Sequence, residues 1–422
     1  MASSLLPLGR EEARVRIERM AAGGDGVGRL DDGIVVFTPR TAPGDLARVS
    51  VAREKRMARG LPIEILEPGP QRTDPPCPHY TADRCGGCQL QHVTYEAQLA
   101  IKGQVIADAM QRIGRRQVEP PVVEGSDRPW RYRRKLTLAM KRRGPRWIAG
   151  LHPYDNPVAI FALDDCPITQ EPVVAIWKEI LAAQRWFPEA KTLRGAVRLL
   201  DDGASFHLEG AVSWGRAREF FAQVPSVHAL FWTPKGATRA QPLHERAKGS
   251  AQGGISFVQV NAGVAARLRE HVLARARAHA PQVVIDAYAG TGDTAVPLAR
   301  DGARVTAIEL DRAAVAIARA RLPKGARVEA GRVEVLLPAE LPADLVLLNP
   351  PRAGVDERVT AALAGAGAQG MRAIIYTSCN PATLARDVAR LPGWRIASLA
   401  GFDMFPQTAH VETVCELVPE GA

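Results

Sequence analysis

The last third of the chain constrains the fold most tightly. Short apolar runs alternate there with Ala-rich stretches of helical character: QVVIDAYAG, a helix near 294–300, RVTAIEL, a helix near 312–321, DLVLLNP, a helix near 356–368, RAIIYTSC and a helix near 381–391. Parallel strands need a crossover between them, and a helix is the usual one. The alternation therefore predicts an α/β parallel sheet covered by helices. Residues 12–66 read differently. ARVRIERM, GIVVFTP and DLARVSVAR are short strands separated by GGDGVG, DDG and APGD, the pattern of a small barrel. GGDGVG superficially resembles a nucleotide-binding glycine loop, but no βαβ unit surrounds it, so it reads as a hairpin turn. Proline-rich EPGPQRTDPPCPHY and the stretch 234–254 read as linkers. At ~150 residues per domain, 422 residues suggest about three domains. The divisions expected are 8–67, 68–250 and 251–422.

Charge is concentrated in one place. The chain carries 55 Lys+Arg against 45 Asp+Glu, a net +10. Residues 128–147, RPWRYRRKLTLAMKRRGPRW, hold nine Lys/Arg and no acid, so the rest is close to balanced. Trp130, Tyr132 and Trp147 sit among these cations. Interleaved cations and aromatics suit a phosphate backbone and unstacked bases, which points to RNA. A solvated basic hairpin is the other reading, because RYRRKLTLAM alternates like a strand with one polar face. The hydrophobic share of 46% excludes a wholly disordered chain. No apolar run approaches a membrane span of ~18–20 residues. MASSLLPLGREE turns charged too soon for a signal peptide. The expectation is a cytoplasmic monomer with a polyanionic partner and no membrane.

DAYAGTGDTAVPLA follows a buried-looking strand, Val283–Asp286, and opens a helix. Gly290 and Gly292 let a ligand approach the backbone at the carboxyl end of that strand. Glu309, nineteen residues beyond Gly290, ends the second strand, where a carboxylate can accept from both hydroxyls of a ribose. A dinucleotide and S-adenosylmethionine both present such a ribose. DLVLLNPPRAG decides between them: a polar residue and two prolines end the fourth strand, a feature methyl transfer uses and hydride transfer does not need.

Cys379 lies just after a run of apolar residues and before a helix signalled by Pro381. A helix N-terminus stabilises a thiolate, so Cys379 is the candidate nucleophile. Cys415, in the apolar run TVCELV, reads as a core strand residue. A methyl-transferring enzyme needs a thiolate when the acceptor is C5 of uracil. Attack at C6 turns the ring into an enolate, C5 takes the methyl, and a base then removes the C5 proton so that the thiolate can leave.

Cys77, Cys85 and Cys88 are spaced C-x7-C-x2-C, and Cys166 lies 78 residues after Cys88. Three clustered thiols and a distant fourth suit an iron–sulfur cluster. Tetrahedral zinc is the rival, with His79 or His92 able to complete the site.

These blocks together resemble the RNA 5-methyluridine methyltransferase family: FVQVN (257–261), DAYAGTG (286–292), NPPRAGV (349–355), YTSCNPATLARD (376–387) and DMFPQTAHVETV (403–414). The resemblance implies a Rossmann-like class I methyltransferase domain with Cys379 as nucleophile and Glu412 as the base. It implies cofactor contacts from Gln259, Tyr288, Glu309 and Asn349, beside the Gly290 and Gly292 turn already read as a cofactor site. It also implies a [4Fe-4S] cluster on Cys77, Cys85, Cys88 and Cys166 in a central α+β domain. Residues 8–67 resemble a TRAM domain, a small OB-like RNA-binding barrel, and WRYRRK resembles a block lining the RNA, with Tyr132, Arg133, Arg134 and Lys135 as contacts. Two positions depart from the family: Asn349 stands where Asp is usual, and Ala289 where Cys is common. Asn349 opens a second reading as an RNA amino-methyltransferase, although Arg352 replaces the aromatic that chemistry would require. A non-catalytic RNA-binding protein is the third. Barrel and cluster together point to 23S rRNA as substrate, with tRNA as the alternative.

Overall fold

The computed structural model describes residues 11–200, 203–246 and 259–421. It divides into two compact units, one of Met1–Tyr95, Arg128–Asn261 and Pro406–Ala409, the other of Glu96–Asp127, Ala262–Phe405 and His410–Ala422. No described helix is long and apolar enough to cross a membrane.

In the first unit, five strands close into a barrel: Glu11–Met20, Gly26–Arg29, Val35–Thr38, Leu46–Arg53 and Ala58–Glu67. Alternating residues point inward, and Val15, Ile17, Val36, Ala47, Val49 and Val51 form the core. Closure depends on Gly28, where a Cβ would collide with the Arg16 carbonyl oxygen. GGDGVG is the hairpin turn expected, with Gly24 at φ +85°.

The same unit carries a seven-stranded sheet, ordered Gln241–Glu245, Val227–Thr233, Ala204–Glu209, Thr192–Leu199, Lys135–Arg143, Arg146–Leu151 and Phe161–Ala162. The basic stretch is a hairpin of this sheet. Leu136, Leu138 and Met140 face the core, while Lys141, Arg142, Arg143 and Arg146 are exposed at its tip. The helix Glu171–Ala182 buries Val173, Ile176, Trp177 and Ile180. The stretch expected as a linker at 234–254 contributes the edge strand Gln241–Glu245, which gains a hydrogen-bonding partner in Val227–Thr233. Residues 247–258, with Phe257 and Val258 of FVQVN, lie outside the described residues.

The second unit is built on an eight-stranded sheet, ordered Arg327–Ala330, Arg304–Glu309, Val283–Ala287, Leu345–Leu348, Ala373–Ser378, Glu412–Pro419, Trp394–Phe402 and Val123–Glu124. The first five run parallel; Glu412–Pro419 is antiparallel to its neighbours. Leu345–Leu348 and Ala373–Ser378 are buried throughout, as strands covered on both faces must be. The helices at Ala295–Arg300, Arg312–Arg321, Glu357–Ala364 and Pro381–Ala389 match the periodicity.

The helix Tyr95–Arg112 brings a distant stretch of chain into this unit. It buries Val105, Ile106 and Met110, and Ile106 packs with Val123 and Val411. Lys102 on the same helix is 1% exposed and donates to the carboxylate of Asp403, which is fully buried, at 2.5 Å. Its ammonium also reaches the Phe405 carbonyl at 3.2 Å. Burial pushes the Lys102 pKa down, while Asp403 opposes the shift.

Candidate active site

The carboxyl ends of the parallel strands hold the predicted cofactor residues of the second unit. Beyond Val283–Ala287 the chain turns through Tyr288, Gly290 and Gly292, at φ 63°, 56° and 82°. The turn is braced from below: Thr294 Oγ1 donates to buried Asp286 at 2.6 Å, and burial pushes that carboxyl up to about 6. Glu309 braces it from the side. Its carboxylate accepts from the Gly290 amide at 2.8 Å and from the Leu310 and Asp311 amides at 2.7 Å. A carboxylate has about four lone-pair sites, so acceptor capacity remains for ribose hydroxyls. Asn349 is exposed at the end of Leu345–Leu348, and its backbone amide donates to the Ala287 carbonyl at 3.3 Å. Tyr288 is half-buried, and burial pushes its hydroxyl up to about 12, with Glu334, Asp356 and Asp387 adding to the shift. Gln259 is half-buried and belongs to the first unit.

Cys379 follows Ala373–Ser378, and Glu412 opens the antiparallel strand beside it, where Ser378 pairs with Thr413. The register makes the two residues neighbours. Cys379 is half-buried and Glu412 is buried. Burial pushes Glu412 up to about 7, against the pull of Arg352. The expected low thiol pKa is not found. Burial and the Glu412 carboxylate push Cys379 up, while Arg352 opposes them by charge and hydrogen bond. The helix offers little help because Asn380, not Cys379, is its N-cap and accepts from the Ala382 amide at 3.1 Å.

Arg352 is therefore a third member of the site, and sequence reasoning noted it only as a replaced aromatic. A buried carboxylate fixes the loop that carries it. Asp387 accepts from the Val355 amide at 3.0 Å, the Tyr376 hydroxyl at 2.8 Å and Arg386 Nε at 2.9 Å. Gly354, at φ +78°, lies so close that a Cβ there would collide with Asp387 Oδ2. Asp387 ties the Pro-Pro-Arg loop to the helix after Cys379. Its only sequence signal is its place at the end of YTSCNPATLARD.

The first unit brings the four other candidate thiols together. Cys77, Cys85, Cys88 and Cys166 line one cavity of about 300 Å³. Burial pushes Cys85 up to about 11 and Cys88 up to about 12. Both ring nitrogens of His79 are engaged, Nδ1 with Asp83 at 2.7 Å and Nε2 with the Asp164 amide at 3.2 Å. His92 Nδ1 meets the Tyr80 hydroxyl at 2.6 Å. Among the described residues, no three His, Cys, Asp or Glu side chains are grouped closely enough to share one metal ion.

The residues expected to touch RNA divide. Tyr132 is 4% exposed, and its hydroxyl donates to the Pro406 carbonyl at 3.0 Å. Arg133 lines the cysteine cavity. Arg134 is half-buried and donates to the Leu200 carbonyl at 3.2 Å, whereas Lys135 is exposed at the start of the basic hairpin.

Comparison with known proteins gives consistent matches. A family model described as tRNA (Uracil-5-)-methyltransferase matches residues 332–418, and a TRAM domain model matches residues 9–57. An uncharacterised RNA methyltransferase of Gloeobacter violaceus is 35% identical, over 96% of this chain and 95% of its own. The 23S rRNA (uracil(1939)-C(5))-methyltransferase of Pseudomonas putida is 32% identical, over 97% of this chain and 94% of its own. In fold, the chain is similar to the Pyrococcus abyssi tRNA (uracil-54, C5)-methyltransferase, crystallised with S-adenosyl-L-homocysteine. The TM-score is 0.69 at 22% identity, covering 96% of this chain and 99% of the other.

Proposed function

Since the chain belongs to the family of S-adenosylmethionine-dependent RNA (uracil-C5)-methyltransferases, we propose that it methylates C5 of a uridine in 23S rRNA through Cys379 and Glu412. The observation that carries this reading is the pairing of the two residues across adjacent strand ends, with Arg352 acting on both. Arg352 stands where an amino-methyltransferase would need an aromatic ring, which speaks against that chemistry.

The roles follow from the environments. Cys379 loses its proton to solvent, and Arg352 favours the thiolate as it forms. Its sulfur then bonds to C6, leaving C5 as an enolate carbon. The cofactor supplies an electrophilic methyl group, for which Tyr288, Gly290, Gly292, Glu309, Asn349 and Gln259 are the proposed contacts. Glu412, poised near neutrality, takes the C5 proton. The C6–S bond then breaks, the ring double bond re-forms and Cys379 is released.

The rRNA assignment rests on the Pseudomonas putida relative, which is named for its action on 23S rRNA. In this reading the barrel and basic hairpin hold RNA, with Arg134 and Lys135 offering surface to it, and the enzyme works as a cytoplasmic monomer. Mapping 5-methyluridine in bulk RNA from a deletion strain tests the assignment. Loss of one such residue from 23S rRNA is expected. Loss from tRNA alone would overturn it.

For the four clustered thiols, the group we favour is a [4Fe-4S] cluster. Zinc needs sulfurs about 2.3 Å from one centre. The thiols here surround a cavity instead, and His79 is already engaged on both ring nitrogens. A cluster held by Cys77, Cys85, Cys88 and Cys166 would cross-link distant segments, and no step of methyl transfer passes through it. Cys85→Ser is expected to lose iron and much of its soluble yield. A soluble, fully folded, iron-free variant with unchanged RNA affinity would sink this role.

A further inference from the structure

A cubane cluster on four thiolates is a net dianion, and burying it is costly unless nearby groups compensate. Two side chains in the cavity meet that need. Arg133 lines it beside the thiols. Its backbone is clamped to the segment after Cys166: the Arg133 amide donates to the Ile168 carbonyl at 2.9 Å, and its own carbonyl accepts from the Gln170 amide at 2.9 Å. Nε lies 3.4 Å from the Tyr132 hydroxyl, which is itself committed to Pro406. Cys88, Cys166, Asp165 and Lys135 line the same cavity, and the thiols of Cys88 and Cys166 favour the charged guanidinium. Gln91 is buried, three residues after Cys88, and lines the same cavity as the four thiols. The Gln91 side-chain oxygen is buried without a hydrogen-bond partner, which leaves the amide nitrogen as the end that can donate to a sulfur.

We propose that Arg133 and Gln91 are positioning residues for the cluster: the guanidinium offsets its charge, and the amide donates hydrogen bonds to Cys77 and Cys88. The proposal rests on the cluster reading above. It moves Arg133 from the RNA surface, where its basic neighbours suggested it belonged, to the metal side of the strand. Net charge and hydrogen bonds to sulfur set cluster potentials. Removing either group disfavours the more negative, reduced state, so the reduction potential falls.

The test uses the full-length protein, reconstituted anaerobically with iron and sulfide. Iron content, reduction potential from the visible band, and the rate of bleaching by a chelator are measured. Arg133→Met is expected to lower the potential and to bleach roughly 10-fold faster, the scale of losing a supporting group at a metal site. Arg133→Lys should fall between it and the wild type, and keeps the question answerable if Arg133→Met folds poorly. Gln91→Leu should lower the potential independently. Wild-type potential and bleaching in Arg133→Lys and Gln91→Leu would overturn the proposal while leaving the cluster in place. A wild-type protein that takes up no iron would overturn the cluster reading itself.

Discussion

Glu412→Gln is expected to trap the enzyme on its RNA. The sulfur can still add to C6 and C5 can still take the methyl, but nothing removes the C5 proton, so the C6–S bond persists. A protein–RNA band should survive denaturing electrophoresis with ordinary uridine RNA, and turnover should drop by about 10²–10⁴-fold. Wild-type turnover should rise with pH through about 7, because the carboxyl must be ionised to accept a proton. The same substitution should stabilise the fold at alkaline pH. Glu412 has its folded pKa raised from 4.5 to about 7. Between those values the folded chain keeps a proton that the unfolded chain has released, so stability falls as pH climbs through the window. The cost is about 3 kcal/mol once pH exceeds 7. In chemical denaturation at pH 8, the neutral amide introduced by Glu412→Gln should recover much of it. No gain in stability and no trapped band would remove Glu412 as the buried base.

Cys379→Ala is expected to abolish turnover, a loss on the order of 10⁶-fold if it behaves like other covalent nucleophiles. RNA affinity should change little, because the thiol is half-buried and its removal leaves the Asn380 cap in place. With 5-fluorouridine RNA and cofactor the wild type should form a stable adduct, since fluorine at C5 cannot leave as a proton. The Ala variant should form none. An adduct of equal yield in Cys379→Ala would assign the nucleophile elsewhere.

Much of the transferase fold is legible in the chain itself. Val283–Ala287, Leu345–Leu348 and Ala373–Ser378 announce themselves because strands buried on both faces are mostly apolar, with polar residues such as Asp286, Thr377 and Ser378 confined to their carboxyl ends. The glycine turn and the acid nineteen residues later are a local pattern, and local patterns survive in sequence. What depends on distant partners does not. Lys102 and Asp403 are 301 residues apart, and neither side chain signals its mate. Arg327–Ala330 and Val123–Glu124 are too short to show a period. The thiol of Cys379 illustrates the limit best. The sequence exposes the helix that would lower its pKa, but not the burial and the Glu412 carboxylate that outweigh it. Arg133 is a similar case, since a run of cations shows charge without showing which member turns inward.

The Lys102–Asp403 pair bears on where this protein can be cut. A fragment beginning at residue 251 would keep the whole parallel sheet, yet it would lack the helix Tyr95–Arg112 and the edge strand Val123–Glu124. An empty apolar groove would remain beside Val411, and Asp403 would be a buried carboxylate without its ammonium. Losing one partner of such a pair costs about 3–5 kcal/mol. The transferase is thus a folding unit that the gene writes in instalments, and its minimal form must splice residues 96–127 back onto the carboxyl-terminal stretch.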